Sequence, residues 1–365
     1  MRESRSLSHV LRQALTQAWN AQGDWRINPV GGFLVLILRP ISGLFATLVA
    51  IRRHLYQRGI YKSQTLPVPV VVVGNVMVGG VGKTPVTMAL VNHLKAQGWH
   101  VGVLSRGYGR KTSHTLAVVP SSDPHHVGDE PLLIARSCQV PVFVGTNRVD
   151  AGRTLLALHP EVQILVCDDG LQHLALARDL ELCVFDERDL GNGHLLPAGP
   201  LREAWPRTPQ HHALSNTDIP CWVVRTSGKP GPNEFMASRH LADYACQADG
   251  TQRPLSHWQH ATVQALAGIA KPEAFFAMLR DKGLTLAQAQ ALPDHADMQT
   301  MTIDPTQGDV LCTEKDAVKL WKEHPHVWAV PLQTTLPSEL LAAIDHHLAA
   351  AQHAKLSSPH GQQTA

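Results

Sequence analysis

No Cys-x-x-Cys pair occurs in this chain, and its six cysteines (138, 167, 183, 221, 246 and 312) are scattered along it. That spacing argues against a disulfide framework and a cysteine zinc site, leaving buried, reduced thiols of a cytosolic protein as the expectation. No internal repeat is visible. No uninterrupted apolar run reaches the roughly 20 residues that a spanning helix requires. The first long apolar stretch also starts too late, and lacks the small-residue cleavage site, for a cleaved signal peptide. Charge is sparse: 17% of residues are charged against 44% hydrophobic, a balance that excludes a disordered or coiled-coil protein. What is present is 365 residues, enough to bury a large core and to form two domains.

The small net charge of +2 conceals an asymmetry. Residues 1–62 hold nine Lys/Arg against Glu3 and Asp24, a balance of +7, so the rest of the chain sums to −5. Leu7, Val10, Leu11, Ala14, Leu15, Ala18 and Trp19 recur at helical spacing and make one amphipathic face. Gly31–Leu38 and Ile41–Ile51 follow as apolar runs broken at Arg39-Pro40, with Arg52, Arg53 and His54 behind them. Apolar surface flanked by arginine and tryptophan suits a segment lying in the bilayer interface, attracted by anionic lipid. A pair of core helices and a single kinked spanning helix are the alternatives.

The most informative stretch is Val70–Pro85, where four valines lead into Gly74-Asn-Val-Met-Val-Gly-Gly-Val-Gly-Lys-Thr-Pro85 and then into helical composition. A buried strand, a glycine-rich turn and a helix are the order that a nucleoside triphosphate needs. Backbone N–H groups of Met77, Val78, Gly79, Gly80, Val81, Gly82, Lys83 and Thr84 can close around phosphate oxygens. Lys83 reaches the β/γ-phosphates, and the Thr84 hydroxyl can ligate Mg²⁺. The usual loop has glycine where this chain has Met77, so the loop is a variant in which Gly79 and Gly80 supply the freedom.

Beyond it, short apolar runs at Val101–Leu104, Val140–Val144, Ile164–Cys167 and Leu182–Phe185 alternate with helical stretches. The alternation predicts an α/β fold of the P-loop NTPase kind, a mostly parallel sheet with helices on both faces. Polar clusters sit at the carboxyl end of each run, where such sheets collect functional groups. The expected organisation is an amphipathic, membrane-associated helical segment over 1–62 and a P-loop kinase domain over 63–205. An irregular interdomain region follows over 206–258, then a smaller C-terminal α/β domain over 259–348 and a mobile tail over 349–365.

Ile164-Leu-Val-Cys-Asp168-Asp169 has the form of a strand delivering a Mg²⁺-binding carboxylate opposite Thr84, although a DDG turn closing a strand reads similarly. Asp129 and Glu130 fall at a helix start, where carboxylates commonly cap. Arg106, Tyr108, Arg148 and Arg202 are surface residues or parts of an anion clamp; Arg148 and Arg202 adjoin strand-end or glycine-rich segments that suit a clamp. His295 is one of 22 histidines, and position alone assigns it nothing.

These segments, with Ser105-Arg-Gly-Tyr-Gly109, Gly128-Asp-Glu-Pro131, Asp168-Asp-Gly-Leu-Gln-His173, the run Gly191–Glu203, Asp294-His295 and Thr313-Glu-Lys-Asp-Ala-Val-Lys319, occur in an order that resembles the tetraacyldisaccharide 4'-kinase family. The resemblance runs from about residue 28 to 335 and implies an enzyme of lipid A biosynthesis. Such an enzyme phosphorylates the 4'-hydroxyl of a lipid disaccharide 1-phosphate from ATP and Mg²⁺, at the cytoplasmic face of the bacterial inner membrane. It implies Asp129 as catalytic base with His295 as its partner from the second domain, and Asp168 and Asp169 as Mg²⁺ residues. Arg148, His173, Arg202 and Glu203 are implied as contacts to the disaccharide and its phosphate, with Arg106 and Tyr108 beside them. The rival reading is a membrane-associated ATPase switch of the partitioning type, whose signature lysine is here Val78. A nucleic-acid partner is not expected, because the chain beyond residue 62 is net acidic.

Overall fold

The computed structural model describes residues 7–21, 28–110, 112–209, 218–294, 296, 298, 301–304 and 308–356. Val70, Val71, Val72 and Val73 are all fully buried. A strand sends alternate side chains to opposite faces, so Val71 and Val73 enter one core cluster while Val70 and Val72 enter another. A strand buried on both faces demands cover on both, which a parallel α/β sheet provides.

Helices α1 (Leu7–Asn20) and α2 (Pro29–Gln57) precede that sheet. Its strands are β1 (Val70–Gly74), β2 (Val101–Ser105), β3 (Leu116–Val118), β4 (Val142–Val144), β5 (Ile164–Asp168), β6 (Leu180–Phe185), β7 (Cys221–Arg225) and β8 (Glu234–Met236). Between them run α3 (Lys83–Ala96), α4 (Pro124–Val127), α5 (Asp129–Cys138) and α6 (Arg148–Leu158). The strand order is β3-β4-β2-β5-β1-β6-β7-β8, parallel throughout except for β3 against β4. β1 therefore lies between β5 and β6, and the ends of β1 and β5 are neighbours.

The rest of the chain forms β9 (Ser238–Leu241), β10 (Tyr244–Cys246), β11 (Gln252–Pro254), β12 (Thr262–Ala267), α7 (Pro272–Asp281), β13 (Thr285–Ala291), β14 (Val310–Thr313), α8 (Glu314–Leu320), β15 (Trp328–Val330), β16 (Leu332–Thr335) and α9 (Ser338–Leu356). Six of these strands make a second sheet of order β11-β10-β15-β14-β12-β13, and β9 pairs antiparallel with β16 in a separate ribbon. The loops after β1 of the first sheet and β12 of the second, with Thr313 at the end of β14, line one cavity.

One alternative is decided and two expectations are corrected. The apolar runs on either side of Arg39-Pro40 belong to one helix, α2, of 29 residues with Pro40 inside it. Pro40 forfeits one helical hydrogen bond, but tethers at Arg39 and Ser42, one on each side of it, fasten the helix to the loop at His194 and Leu195. Region 206–258, expected to be irregular, supplies β7 and β8 to the first sheet and β10 and β11 to the second. The expected tail is helical as far as Leu356, because Leu340, Ile344 and Leu348, spaced by four, return to the first sheet's core beside Leu90 and Leu94. Lys355 closes that contact 3.0 Å from the Asp179 carboxylate.

α1 and α2 form a hairpin. A Cβ on Gly31 would lie 2.4 Å from the Ala14 carbonyl oxygen, so only glycine permits this approach. Trp19 fixes α1 to the loops of the first sheet by donating from Nε1 to the Pro197 carbonyl.

Candidate active site

The loop after β1 is built by conformations that glycine adopts without cost. Gly79 has φ 99° and Gly82 φ 86°, both in the left-handed region. Gly82 is the N-cap of α3, with no side-chain cap, so the first amides of α3 stay open toward the loop. The segment Pro200–Arg202 braces the loop from outside: Val78 N–H donates to the Pro200 carbonyl and Arg202 N–H to the Val76 carbonyl. Thr226 donates from Oγ1 to the Val81 carbonyl, and Arg188, paired with Asp186, donates to Gly80.

At the end of β5, Asp168 is fully buried. Its Oδ1 accepts from Thr87 Oγ1 at 2.8 Å, while Oδ2 has no hydrogen-bond partner among the described residues. Burial pushes this carboxyl up to about 7, aided by the negative charges of Glu130 and Asp169. Asp169, with φ 50°, is turned the other way. Its Oδ1 lies 3.0 Å from Arg202 Nη1 and 3.6 Å from Lys83 Nζ. Burial opposes its ionisation, but Lys83, Arg202 and Arg148 outweigh that and hold the carboxyl below the usual range. The two aspartates are thus pushed apart: one carries an orphaned oxygen, the other is engaged by cations.

Across the cavity, α8 of the second sheet meets the first turn of α5. Lys315 Nζ stands 3.1 Å from Glu130 and 3.2 Å from Asp294, and Lys319 Nζ 3.9 Å from Asp129. Asp129 and Glu130 therefore face the second sheet rather than acting only as helix-start charges. His295 lies outside the described residues; its sequence neighbour Asp294 joins Asp129's neighbour Glu130 through Lys315. The cavity between the two sheets measures about 190 Å³. Gly80 to Pro85 form its polar end, and Met88, Leu133, Ile269, Phe275, Met278 and Val330 its apolar walls.

The residues expected to contact the acceptor divide. Arg148, at the start of α6, is buried, donating to the carbonyls of Thr146 and Asp169, with Nε unpartnered. Its backbone N–H donates to His173 Nε2 at 3.3 Å. Burial and the charges of Arg148, Arg178, Arg52 and Arg106 depress His173 to about 4, so the ring is neutral with its proton on Nδ1. Arg202 lies beside Asp169. Arg106 and Tyr108 are exposed after β2. Glu203 is different: it is buried and already engaged, 2.8 Å from Arg53 of α2 and 3.2 Å from Arg207. Sequence reading missed Gln172, which sits among these groups inside the Asp168–His173 motif, and Lys315 and Lys319, whose signal was the Thr313–Lys319 motif.

A profile of the family described as tetraacyldisaccharide-1-P 4'-kinase matches residues 34–349. A tetraacyldisaccharide 4'-kinase of Acidovorax sp. (strain JS42) is 51% identical over 331 residues, 90% of this chain and 94% of that relative. The enzyme of the same name from Polaromonas naphthalenivorans is 46% identical over 359 residues, covering 97% of this chain and all of the relative. Among solved structures, LpxK from Aquifex aeolicus in complex with ATP superposes with a TM-score of 0.73 at 30% identity, over 86% of this chain and 99% of that one. The partitioning-ATPase reading is not favoured by these matches. With its P-loop fold, its motifs and relatives aligned over nearly their whole length, this chain belongs to the tetraacyldisaccharide-1-P 4'-kinase family.

Proposed function

We propose that this chain transfers the γ-phosphoryl group of ATP to the 4'-hydroxyl of a tetraacyldisaccharide 1-phosphate. The observation that carries the reading is the meeting, at one cavity, of the loop Gly80–Thr84, Lys83 and Glu130 of α5, with Asp169, just after β5, 3.6 Å from Lys83. The triphosphate occupies the loop, where Lys83 exchanges Asp169 for phosphate oxygens. The apolar end of the cavity suits the base.

The donor set fits Mg²⁺: Asp168 has a free buried oxygen, and the Thr84 hydroxyl opens α3. Thr84 and Asp168 would hold the ion, with Asp169 close behind, and the bound ion would offset charge on the transferring phosphoryl group. Asp129 accepts the proton of the attacking hydroxyl, leaving the sugar oxygen to form the new P–O bond as the bond to ADP breaks. His295 orients Asp129 from the second domain. General-base assistance contributes on the order of 10²–10⁴-fold, with positioning and electrostatics supplying the rest. Arg202, Arg148, Arg106 and Tyr108 gather the anionic acceptor, and His173, neutral, offers Nδ1–H.

The acceptor resides in the cytoplasmic leaflet of the inner membrane, and α2 is how the enzyme reaches it. An 18-residue window of α2 has a mean hydropathy of 2.2, enough by composition to span a bilayer. Yet Arg39, Ser42, Arg52, Arg53 and Gln57 bind the helix along its length to His194, Leu195, Gln172, Glu203 and Pro209. Phe33, Leu36, Ile37, Ile41, Leu44, Leu48 and Ile51 are exposed on the opposite face. A helix tied to a polar domain over that length lies in the interface, with its arginines near anionic headgroups. The test is purified protein with labelled ATP and the lipid acceptor in mixed micelles, read by product mass. Acceptor gaining one phosphate, lost in Lys83→Ala, supports the reading; ATP hydrolysis with the acceptor unchanged overturns it.

A further inference from the structure

α2 does more than present an apolar face, because two consecutive arginines near its end converge on Gln172, Arg52 directly and Arg53 through Glu203. Arg52 Nη1 donates to the backbone carbonyl of Gln172 at 3.1 Å. Arg53 Nη1 donates to Glu203 Oε2 at 2.8 Å, and Glu203 Oε1 accepts from the Gln172 side-chain amide at 2.7 Å. That same amide donates at 3.0 Å to the carbonyl of Asn75, the residue that follows β1. On its other side, Gln172 Oε1 accepts from Arg202 Nη1, which also holds Asp169, and Asp169 faces Lys83. One polar chain therefore runs from the lipid-facing helix to the P-loop lysine, through side chains that are at most half exposed. An anchor alone needs none of these bonds, since the apolar face and the tethers at Arg39 and Ser42 already attach the helix.

Resting on the kinase reading above, we propose that Arg52 and Arg53 are positioning residues for phosphoryl transfer, which set Gln172 and, through it, Arg202 and Asp169 in register with Lys83. The amphipathic helix is then part of the catalytic geometry. Displacing it shifts the cations that gather phosphate and acceptor, and small displacements there are costly to rate. Arg207 also lies 3.2 Å from Glu203, so Glu203 has a second cationic partner in an Arg53 variant.

The experiment compares Arg53→Gln, Arg53→Lys, Gln172→Ala and the double variant Arg53→Gln/Gln172→Ala on lipid acceptor in vesicles. Arg53→Gln is expected to lower kcat by about 10- to 100-fold, the usual range for a group acting through another. The KM for ATP and the vesicle-bound fraction should stay within twofold of wild type, and Arg53→Lys should recover part of the rate. The double variant should be no slower than Gln172→Ala, because both changes cut one chain. Losses that multiply, or a kcat for Arg53→Gln within twofold of wild type, would overturn the proposal. Should Arg53→Gln fold poorly by thermal melting, Arg53→Lys with Gln172→Ala carries the same cycle. A wild-type protein that binds ATP but never phosphorylates the acceptor would instead sink the kinase reading itself.

Discussion

Replacing Leu36, Leu44 and Leu48 of α2 together by alanine tests how the protein meets the bilayer. These side chains are 59%, 63% and 57% exposed, so about six tenths of each is free to enter lipid. Each change removes three carbons, worth about 0.8 kcal/mol apiece when fully buried, which comes to ~1.4 kcal/mol at this exposure. Over three sites the loss is ~4 kcal/mol, or about a thousandfold in the partition coefficient. The folded protein should barely notice, since the three residues contribute little to its core, and thermal melting and ATP affinity should be unchanged. The assay is flotation with vesicles containing anionic lipid, in high salt so that the arginines contribute little. Wild type should float and the triple variant should remain with the soluble fraction. A triple variant that still floated like wild type would refute insertion of this face, because the remaining attraction would have to come from elsewhere.

Other predictions follow from the site. Lys83→Ala and Asp129→Asn should each remove most kinase turnover, by at least ~10²-fold for the base, with melting temperatures near wild type; Asp129→Asn at near-normal kcat would move the base elsewhere. His173, depressed to about 4 by burial and its arginine neighbours, takes up a proton on unfolding but not when folded between its ordinary pKa near 6.5 and 4. It therefore costs stability as pH falls through that window. His173→Gln should show a smaller drop in melting temperature between pH 7 and pH 5 than wild type, and an equal drop would assign the slope to other groups. Glu181 is buried between Arg178, at 3.1 Å, and Arg207. Glu181→Leu leaves buried Arg178 with backbone carbonyls alone and Arg207 with Glu203 as its carboxylate, and should cost about 3–5 kcal/mol in urea unfolding, whereas a loss below ~1 kcal/mol would mean that water reaches them.

The parts of this molecule legible in its sequence were those where local chemistry and tertiary role coincide. Four valines before a glycine turn fix β1 and the P-loop because burial on both faces and left-handed glycines leave few alternatives. Asp168 and Asp169 were read as one pair, and the sequence could not separate them: only the packing shows one carboxylate orphaned and the other held by Lys83 and Arg202. The sequence left open whether the apolar runs on either side of Arg39-Pro40 form a helix pair or one helix, because the contacts beside the proline come from residues 194 and 195, far along the chain. β8, β10 and β11 are only three residues each, too short to show a period, and they exist because a sheet edge receives them. The end of α9 was expected to belong to a mobile tail from residue 349, since nothing local reveals that Leu340, Ile344 and Leu348 return to the first sheet. Glu203 was expected at the acceptor because of its motif, whereas its buried bonds to Arg53 and Arg207 are long-range and have no sequence signature.

A crystal structure with a non-hydrolysable ATP analogue and magnesium tests the central claim most directly. The account predicts phosphate oxygens on the amides of Gly79–Thr84, Lys83 Nζ moved from Asp169 to the phosphates, and the metal between Thr84 and the free oxygen of Asp168. Nucleotide bound at another surface, with Lys83 still against Asp169 and Asp168 still without a ligand, would contradict it.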